Sequence, residues 1–415
     1  MKIAQELRER GFVNQCSTET LEEIVDQGLR TIYLGIDPTA DAIHVGHLVP
    51  YMLLNHLLKH GHSVILLIGG GTALIGDPSG KDTERKFVDE EVVREQSKKI
   101  ESLIRSITVS DDVTFLNNYD WLSKLSMIDF LRDVGKYFTV GAMVKKDSVA
   151  TRLTSEQGIS YTEFSYALLQ SYDYYHLYKE HGCDLQIGAS DQWGNITSGI
   201  DFIRRKTGAK VFGLTMPLLI NPATGKKFGK TEGNAIWLNP EKTSPYVFYQ
   251  FWFNTPDDAV IAYLKLFTML SLEEIENIKT EFVQNKGERT AQKRLADEVT
   301  AFVHGTEIIE SVQKVSEFLF GERKIEELND DEYEIVRKNA PYSEVYLGDF
   351  LVDVLITSGL ATSKREARTF ITEGAITVGS EKITNTETVI DKELFAEKML
   401  LLKRGKKQVC VLELL

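Results

Sequence analysis

The sequence predicts an α/β protein with a parallel five-stranded sheet flanked by helices, followed by an all-α domain and a small C-terminal α+β domain. Three observations favour this fold. Short apolar runs typical of buried parallel strands alternate with helical patterns through the first half of the chain. Stretches rich in glycine and polar residues follow several of those runs. From about residue 241 to 320 only helical periodicity remains, and hairpin signals return after it.

The composition is that of a globular protein with two or three domains, since the chain has 415 residues, 42% of them hydrophobic and 26% charged. No run approaches the roughly 18 apolar residues of a membrane span, and the N-terminal MKIAQELRER predicts a charged helix rather than a signal peptide. A net charge of −13 argues against nucleic-acid binding over the whole surface but allows a local basic patch. Three widely spaced cysteines predict neither a disulfide framework nor a structural zinc site, and fit a cytoplasmic location.

Five apolar runs are predicted to form the sheet, and most segments between them are predicted to be helical. The segment before the first run is predicted to consist of helices, with Gly28 as the stop. In an open α/β sheet, ligands bind at the carboxyl ends of the strands, so the residues after each run are the first candidates for a site. The predicted strands cover 31–36, 64–68, 113–117, 184–187 and about 214–220.

The first candidate stretch reads YLGIDPTADAIHVGH, from Tyr33 to His47. A helix is predicted to open at its last four residues, and the unpaired N–H groups and macrodipole at a helix N-terminus attract phosphate. Gly46 has no side chain, so a flat ligand such as a purine could approach the backbone there. His44 and His47 project from one side of the first turn and could donate to a negative oxygen. Two histidines at this spacing often have no function, and occasionally form a metal pair.

A second glycine-rich stretch, from Gly69 to Lys81, follows the next run. Its glycines would let a ligand lie against the end of the sheet. Asp77 is a candidate for binding an ammonium group, and Lys81 and Arg85 are candidates for binding phosphates. The alternative for all three is a solvated loop charge.

The helix predicted before the fourth strand carries an unusual polar face. Tyr166, Gln170 and Asp173 share that face because they are four and three residues apart. Apolar and aromatic neighbours surround them, which favours a pocket for a small polar ligand, with a half-buried hydrogen-bond network as the alternative. After the fourth strand, Asp191 and Gln192 lie in the polar stretch GASDQWGN, again at the carboxyl end of the sheet.

Two basic segments lie further along the chain. The loop KKFGKT at 226–231 holds three lysines and is predicted to bind phosphate, although a lysine-rich loop is usually just solvated. The last 68 residues contain ten Lys and Arg and ten Asp and Glu, so they contribute nothing to the net charge. There, Ser363 is predicted to cap a short helix, and a basic helix start suits an RNA backbone. A neutral appended domain without a ligand is the alternative. The basic residues are Lys364, Arg365 and Arg368.

HVGH after the first strand and KFGKT about 180 residues later resemble the two signatures of class I aminoacyl-tRNA synthetases, usually written HIGH and KMSKS. Neither matches in full, since Val45 replaces isoleucine in the first, and Phe228, Gly229 and Thr231 replace methionine, serine and serine in the second. The segments YLGIDPTADAIHVGHL, IGDPSG, SYALLQSYD, LQIGASDQWGNI and KFGKTEGNAIWL, in this order, resemble the bacterial tyrosyl-tRNA synthetases. The tail resembles an RNA-binding module shared with a small-subunit ribosomal protein. The resemblance covers essentially the whole chain.

This resemblance implies a Rossmann-like nucleotide-binding fold and a role for each candidate residue. Tyr33 and Asp173 would contact the phenolic hydroxyl of a substrate tyrosine, and Asp191 would lie near the ribose of ATP. Asp77, Tyr166 and Gln170 would hold the ammonium group of the tyrosine, with Gln192 near its carboxylate. The full tyrosine set is Tyr33, Gly35, Asp37, Asp77, Tyr166, Gln170, Asp173 and Gln192. The ATP set is His44, Gly46, His47, Asp191, Lys227 and Lys230. The catalytic set around the phosphates is Thr39, His44, His47, Lys81, Arg85, Lys227, Lys230 and Thr231.

The activity implied is the ATP-dependent ligation of L-tyrosine to tRNA(Tyr), with Mg²⁺ accompanying ATP and no bound metal site. A homodimer without membrane contact is implied. The domains would be a catalytic domain at 1–220, the KMSKS-type loop with a helical domain on the anticodon side at 221–321, a linker at 322–347 and an RNA-binding domain at 348–415.

Two other functions compete with this one. A tryptophanyl-tRNA synthetase shares the class, but Asp173 and the tail argue against it. A non-enzymatic RNA-binding regulator with a decayed core is disfavoured by the intact histidines and lysines of both signatures.

Overall fold

The structure is a computed structural model, and the chain divides into two compact units. The first comprises Met1–Thr243 and Trp252–Val299, and the second Ser244–Phe251 and Thr300–Leu415. The residues described are 2–38, 42–79, 88–108, 110, 113–154, 158–219, 228, 235–321, 323–394, 399–405 and 408–415. Six predicted site residues therefore lie outside the described residues, namely Thr39, Lys81, Arg85, Lys227, Lys230 and Thr231.

A six-stranded sheet forms the centre of the first unit. Its strands are β1 (Gln15–Cys16), β2 (Thr31–Ile36), β3 (Ser63–Ile68), β4 (Val113–Asn117), β5 (Leu185–Ala189) and β6 (Phe212–Met216), in the order β1-β6-β5-β2-β3-β4. Strands β2 to β6 pair in parallel, close to the predicted ranges. The prediction of a five-stranded parallel sheet was nevertheless wrong in one respect, because β1 adds a sixth strand antiparallel to β6. Two residues are too few to show the alternation that marks a strand, so this segment was predicted to be helical.

Helices cover the sheet and leave the carboxyl ends of its strands for loops. Strand β3 is buried at five of its six positions, as expected for a parallel strand covered on both faces. The longest helix begins after Ser160, whose hydroxyl accepts from the N–H of Glu163, and ends at Gly182 in a left-handed conformation. The helices are α1 (Ile3–Arg10), α2 (Glu22–Val25), α3 (Leu48–Lys59), α4 (Glu90–Ser106), α5 (Tyr119–Leu122), α6 (Met127–Asp133), α7 (Val140–Met143), α8 (Asp147–Leu153), α9 (Tyr161–His181) and α10 (Trp193–Thr207).

The predicted helical region is confirmed. Ser271 and Glu274 form a capping box, in which each side chain accepts from the backbone N–H of the other residue. The helices are α11 (Pro245–Phe253), α12 (Val260–Phe267), α13 (Leu272–Gln284), α14 (Thr290–His304) and α15 (Glu307–Phe320). No helix within the described ranges is both long enough and apolar enough to cross a membrane.

The C-terminal part of the second unit is an α+β fold. Its helices are α16 (Asp330–Asn339), α17 (Leu351–Thr357) and α18 (Lys364–Thr372). Its strands are β7 (Tyr342–Val345), β8 (Ile376–Val378), β9 (Glu381–Ile383), β10 (Met399–Arg404) and β11 (Gln408–Leu414), in the order β7-β11-β10-β8-β9. Both predicted hairpins, β8–β9 and β10–β11, are present.

The range predicted as a linker, 322–347, contains α16 and β7. Strand β7 pairs in parallel with β11, so this sheet begins before residue 348. The acidic composition of the segment reflects the solvated face of α16, whose Val336 is buried. The four-part division of the chain stays a prediction.

Candidate active site

The ends of β2 and β3 meet the polar face of α9. The carboxylate of Asp37, directly after β2, accepts hydrogen bonds from the Thr72 hydroxyl (2.7 Å) and from the Tyr166 hydroxyl (2.8 Å). Gly69 allows this approach, because a Cβ on it would lie 2.0 Å from Oδ1 of Asp37. Asp37 therefore links the ends of the neighbouring strands β2 and β3 to Tyr166 of α9, which lies 129 residues further along the sequence.

Asp173 lies deeper along the same helix face and is 2% exposed. Its two carboxylate oxygens accept from the Asn118 amide (2.8 Å) and from the Trp121 indole N–H (2.7 Å). Burial raises the pKa of Asp173 to about 7, although both donors pull the pKa down. Sequence reasoning missed Asn118 and Trp121. The signal that could have found them is the polar stretch NNYDW after the β4 run, at the same edge of the sheet.

Three buried polar atoms, on β2, α9 and β5, have no hydrogen-bond partner among the described residues. They are the Tyr33 hydroxyl and the Oε1 atoms of Gln170 and Gln186. Tyr33 is paired in register with Gln186, and burial together with the charge of Asp173 raises its pKa. Leaving such an atom unpaired costs about 1–3 kcal/mol, so a group of them indicates a place for a polar ligand. Sequence reasoning missed Gln186, which was read as part of a buried strand.

Asp77 and Gln192 form a second polar centre. Asp77 is 7% exposed and accepts from the Gln192 amide (2.7 Å) and from the N–H of Ser79 (2.9 Å). The Gln192 oxygen accepts in turn from Asn195 (3.2 Å). Burial first, and then the charges of Asp37 and Asp77, raise the pKa of Tyr166, so two carboxylates lie near this phenol. This negative surrounding suits an ammonium group.

The remaining predicted residues of this edge are also placed. Gly35 is an exposed residue of β2, where a Cβ would make only ordinary contacts at 3.9 Å. Asp191 lies in a turn of 3-10 helix, Ser190–Gln192, between β5 and α10.

The two histidines of HVGH cap their own turn of 3-10 helix, Val45–His47, which leads into α3. Nδ1 of His44 accepts from the N–H of Gly46 (3.1 Å), and Nδ1 of His47 accepts from the N–H of His44 (3.3 Å). A ring nitrogen that accepts carries no proton, so each neutral imidazole is protonated on Nε2. Both Nδ1 atoms are therefore used to cap the turn, and neither suits a metal ion.

The two signature segments meet in space. Residues on either side of His44 pair with the segment after the lysine loop: Val45 N–H donates to Ile236 (2.9 Å), and Leu238 N–H donates to Ile43 (2.9 Å). The carbonyl oxygen of Phe228 would lie 2.9 Å from a Cβ on Gly46. The centre of KFGKT thus contacts the turn of HVGH, although about 180 residues separate them.

Comparison with known proteins decides the family. The family model described as "tRNA synthetases class I (W and Y)" matches residues 27–321, and "Tyrosine--tRNA ligase SYY-like C-terminal domain" matches residues 332–412. Tyrosine–tRNA ligase 2 of Enterococcus faecalis is 48% identical over 417 residues, which is 99% of this chain and 98% of that protein. Tyrosine–tRNA ligase 1 of Bacillus licheniformis is 48% identical over 421 residues, or 99% of both proteins. The chain belongs to the class I tyrosyl-tRNA synthetases.

Solved structures agree with this family. A C-terminally truncated mitochondrial tyrosyl-tRNA synthetase of Aspergillus nidulans has a TM-score of 0.70 and 32% identity, covering 77% of this chain and 94% of that one. A tryptophanyl-tRNA synthetase of Encephalitozoon cuniculi has a TM-score of 0.56 at 14% identity, covering 79% and 89%, which shows a shared fold alone. Close relatives therefore place this chain with the tyrosyl-tRNA synthetases.

In this tyrosyl-tRNA synthetase, the predicted RNA-binding residues lie on the exposed start of α18. The Ser363 hydroxyl caps the helix by accepting from Glu366 N–H (3.2 Å), whereas the Glu366 carboxylate accepts from Thr362. The predicted cap by Ser363 is therefore formed, without the hydrogen bond from Ser363 N–H to Glu366 that would complete a capping box. Nζ of Lys364 lies 2.7 Å from the carboxylate of Asp353 on α17. Arg365 and Arg368 are exposed on the same helix.

Proposed function

We propose that the polar centres of the active site bind L-tyrosine and ATP, and that the chain ligates the tyrosine to tRNA(Tyr) through tyrosyl-adenylate. The first step forms a bond between the tyrosine carboxylate and the α-phosphorus of ATP, and pyrophosphate leaves. The attacking oxygen is already an anion, so no general base is required. In-line placement and positive charge around the phosphates are required instead.

The observation that carries this proposal is the group of unpaired buried atoms beside Asp173. A phenol placed there donates its hydroxyl proton to Asp173 and accepts from the Tyr33 hydroxyl, which satisfies a buried group on each side. Phenylalanine would leave the Tyr33 hydroxyl unpaired and would give Asp173 no donor beyond Asn118 and Trp121. Tyrosyl-tRNA synthetases are the standard example of such rejection of an analogue that lacks a hydroxyl.

The other end of the tyrosine is proposed to lie at the acidic centre. Asp77, Tyr166 and Gln170 hold the ammonium group, and Gln192 lies near the reacting carboxylate. Asp37 supports Tyr166 through its hydrogen bond of 2.8 Å. Gly35 leaves the strand surface open beside the substrate.

ATP is proposed to lie over the HVGH turn. Gly46 allows the close approach of the Phe228 carbonyl beside the nucleotide. The Nε2 protons of His44 and His47 face the phosphates, with Asp191 at the ribose. Mg²⁺ accompanies ATP as part of the substrate. The groups proposed to surround the departing pyrophosphate are Thr39, Lys81, Arg85, Lys227, Lys230 and Thr231.

A homodimer is proposed from large exposed apolar side chains on α6, on α7 and at the start of α9. Ile128 is 69% and Tyr161 73% exposed, and Met127 and Val140 are similarly exposed. Large exposed apolar patches mark interaction sites. Analytical ultracentrifugation is expected to show a dimer that Ile128→Asp dissociates, while Leu29→Asp, at an exposed leucine elsewhere, leaves it intact. A monomeric unmodified chain would refute the dimer.

The domain roles are part of the proposal. Residues 1–220 are proposed to perform activation, 221–321 to carry the lysine loop and contact the anticodon side, and the C-terminal domain to bind tRNA through Lys364, Arg365 and Arg368. A cytoplasmic location is proposed because all three cysteines are free.

ATP–pyrophosphate exchange with each of the twenty amino acids tests the function. Exchange stimulated by tyrosine alone is expected. Stimulation by tryptophan instead would identify the related synthetase. An absence of exchange with every amino acid would favour the RNA-binding regulator.

A further inference from the structure

The indole of Trp121 is held by two side chains of α9. Its Nε1–H donates to the carboxylate of Asp173 (2.7 Å), and its ring stacks on that of His176, with the centroids 4.3 Å apart and an angle of 20° between the planes. Asp173 and His176 are three residues apart, so they project from the same face of the helix. A single turn of α9 therefore contacts both the N–H edge and one face of the indole.

The helix that carries Trp121 cannot fix this ring by itself. Helix α5 has only four residues, well below the roughly 12 to 15 that an isolated helix needs. Trp121 packs against the buried cluster that contains Tyr33, but the indole is only partly buried. A pocket of about 450 Å³ opens beside it, lined also by Lys124 and Leu125. Without the ring of His176, the indole would have room to turn.

The orientation of the indole sets the hydrogen bonding of Asp173. This buried carboxylate accepts from Asn118 and from Trp121. Burial raises the pKa of Asp173 and the charge of Asp37 adds to the rise, whereas the two donors lower it. An indole that turned its N–H away would leave the carboxylate with one donor fewer, so the pKa of Asp173 would rise further.

We propose that His176 is a positioning residue for tyrosine recognition, because its ring fixes the indole of Trp121 and the indole N–H then holds the carboxylate of Asp173 in place. The inference rests on the proposed role of Asp173 at the phenol of the substrate. His176 acts through Trp121, so its loss affects the binding of tyrosine and leaves the steps that involve ATP unchanged.

The stack requires an aromatic ring rather than a charge. Burial lowers the pKa of His176, so the ring is largely neutral at pH 7 and above. An uncharged aromatic ring of similar size should therefore replace it. The charged and titratable side chains around His176 are Tyr172, Lys179, Glu180 and His181 on α9, and Asp120 and Lys124 across the pocket.

The test compares His176→Ala with His176→Phe, which keeps a ring for the stack. His181→Ala, at the exposed last residue of the same helix, is the matched control. Pyrophosphate exchange gives kcat/KM for tyrosine as a function of pH, and kcat/KM for ATP at saturating tyrosine. His176→Ala is expected to lower kcat/KM for tyrosine roughly 3- to 30-fold at pH 7 and to move the midpoint of its pH profile upward by roughly 0.5 to 1.5 pH units. The value for ATP should stay within about twofold, and His176→Phe should restore both quantities for tyrosine.

A second measurement does not depend on activity. In the enzyme labelled with ¹⁵N-tryptophan, the Nε1–H resonance of Trp121 is assigned by its loss in Trp121→Phe, and its hydrogen exchange is followed by NMR. Hydrogen exchange is expected to be several-fold faster in His176→Ala and unchanged in His181→Ala. Because Trp121→Phe already removes the donor, adding His176→Ala to it is expected to cost little further kcat/KM for tyrosine.

An unmoved pH midpoint in His176→Ala would overturn the inference, as would equal losses for tyrosine and ATP, or a His176→Phe variant no more active than His176→Ala. Unchanged hydrogen exchange at Trp121 is equally contrary. If His176→Ala does not fold, His176→Gln, which also lacks a ring, carries the same expectations. An unmodified chain without tyrosine-dependent pyrophosphate exchange would instead refute the proposed function, and the NMR comparison would still decide whether His176 positions the indole.

Discussion

Replacing Asp173 by asparagine removes one ionisable group from the pocket proposed to bind tyrosine, with almost no change in side-chain volume. The carboxylate is 2% exposed and is already held by Asn118 and Trp121, so its position does not depend on the substrate. A buried hydrogen bond to a charged group is worth on the order of 2–4 kcal/mol. At about 1.4 kcal/mol per factor of ten, Asp173→Asn is expected to lower kcat/KM for tyrosine roughly 30- to 1000-fold.

The pH dependence gives a second, independent signature. Because the pKa of Asp173 is about 7 in the empty enzyme, kcat/KM for tyrosine is expected to fall as the pH drops below that value. The stability of the fold is expected to change in the opposite direction, decreasing as the pH rises. A carboxyl whose folded pKa lies above its unfolded value destabilises the fold as the pH rises from about 4 to about 7. The shift from 3.8 to about 7 corresponds to a loss on the order of 4 kcal/mol, which Asp173→Asn avoids.

The assays are pyrophosphate exchange at varied tyrosine and thermal unfolding between pH 5 and pH 8, with the exposed Asp331→Asn as the control. The thermal midpoint of Asp173→Asn relative to the unmodified enzyme is expected to rise with pH while its activity stays low. A kcat/KM for tyrosine within threefold of the unmodified value at pH 8 would remove Asp173 from the pocket. So would equal losses for tyrosine and ATP.

Three further predictions concern other parts of the molecule. Gly46→Ala places a Cβ 2.9 Å from the Phe228 carbonyl, so kcat/KM for ATP is expected to fall roughly 10- to 100-fold. Gly141→Ala, where nothing lies within 4 Å of the added Cβ, is the control and should leave kcat/KM unchanged. An unchanged kcat/KM for Gly46→Ala would contradict the close approach. The pKa of Glu6 is lowered most by His56, whose Nδ1 lies 3.3 Å from the Glu6 carboxylate, and also by hydrogen bonds to His60 and Arg10. The stabilisation by this carboxylate therefore exists above its unfolded pKa and is lost as the pH falls. Glu6→Gln is expected to cost about 2 kcal/mol of unfolding free energy at pH 7 and much less near pH 3, and an equal cost at both pH values would refute the linkage. Truncation near residue 325 is expected to spare adenylate formation and abolish tRNA charging, as measured with labelled tyrosine; normal charging by the shortened chain would remove the tail from tRNA binding.

Sequence patterns identified the edge of the sheet that carries the site, but not the contacts within it. Asp77 and Gln192 were both assigned to strand ends from local residues, whereas their hydrogen bond spans 115 positions and depends on the strand order. Asn118 and Trp121 support Asp173 only because β4 lies beside β3, which no local pattern reveals. The strand β1 is too short for any periodicity. The roles of Thr39, Lys81, Arg85, Lys227, Lys230 and Thr231 stay predictions, since these residues lie outside the described ranges.

If tyrosine binds as proposed, it supplies hydrogen-bond partners that the buried atoms of Tyr33, Gln170 and Gln186 otherwise lack. An inhibitor that fills the cleft with hydrocarbon alone would then leave these buried polar atoms without hydrogen-bond partners, and its affinity would be lower for that reason. Compounds that carry a hydroxyl or amide at the depth of Tyr33 would bind more tightly, because they contact the protein and also give its unpaired buried atoms a hydrogen-bond partner. Medicinal chemistry against this cleft should therefore keep such a polar head.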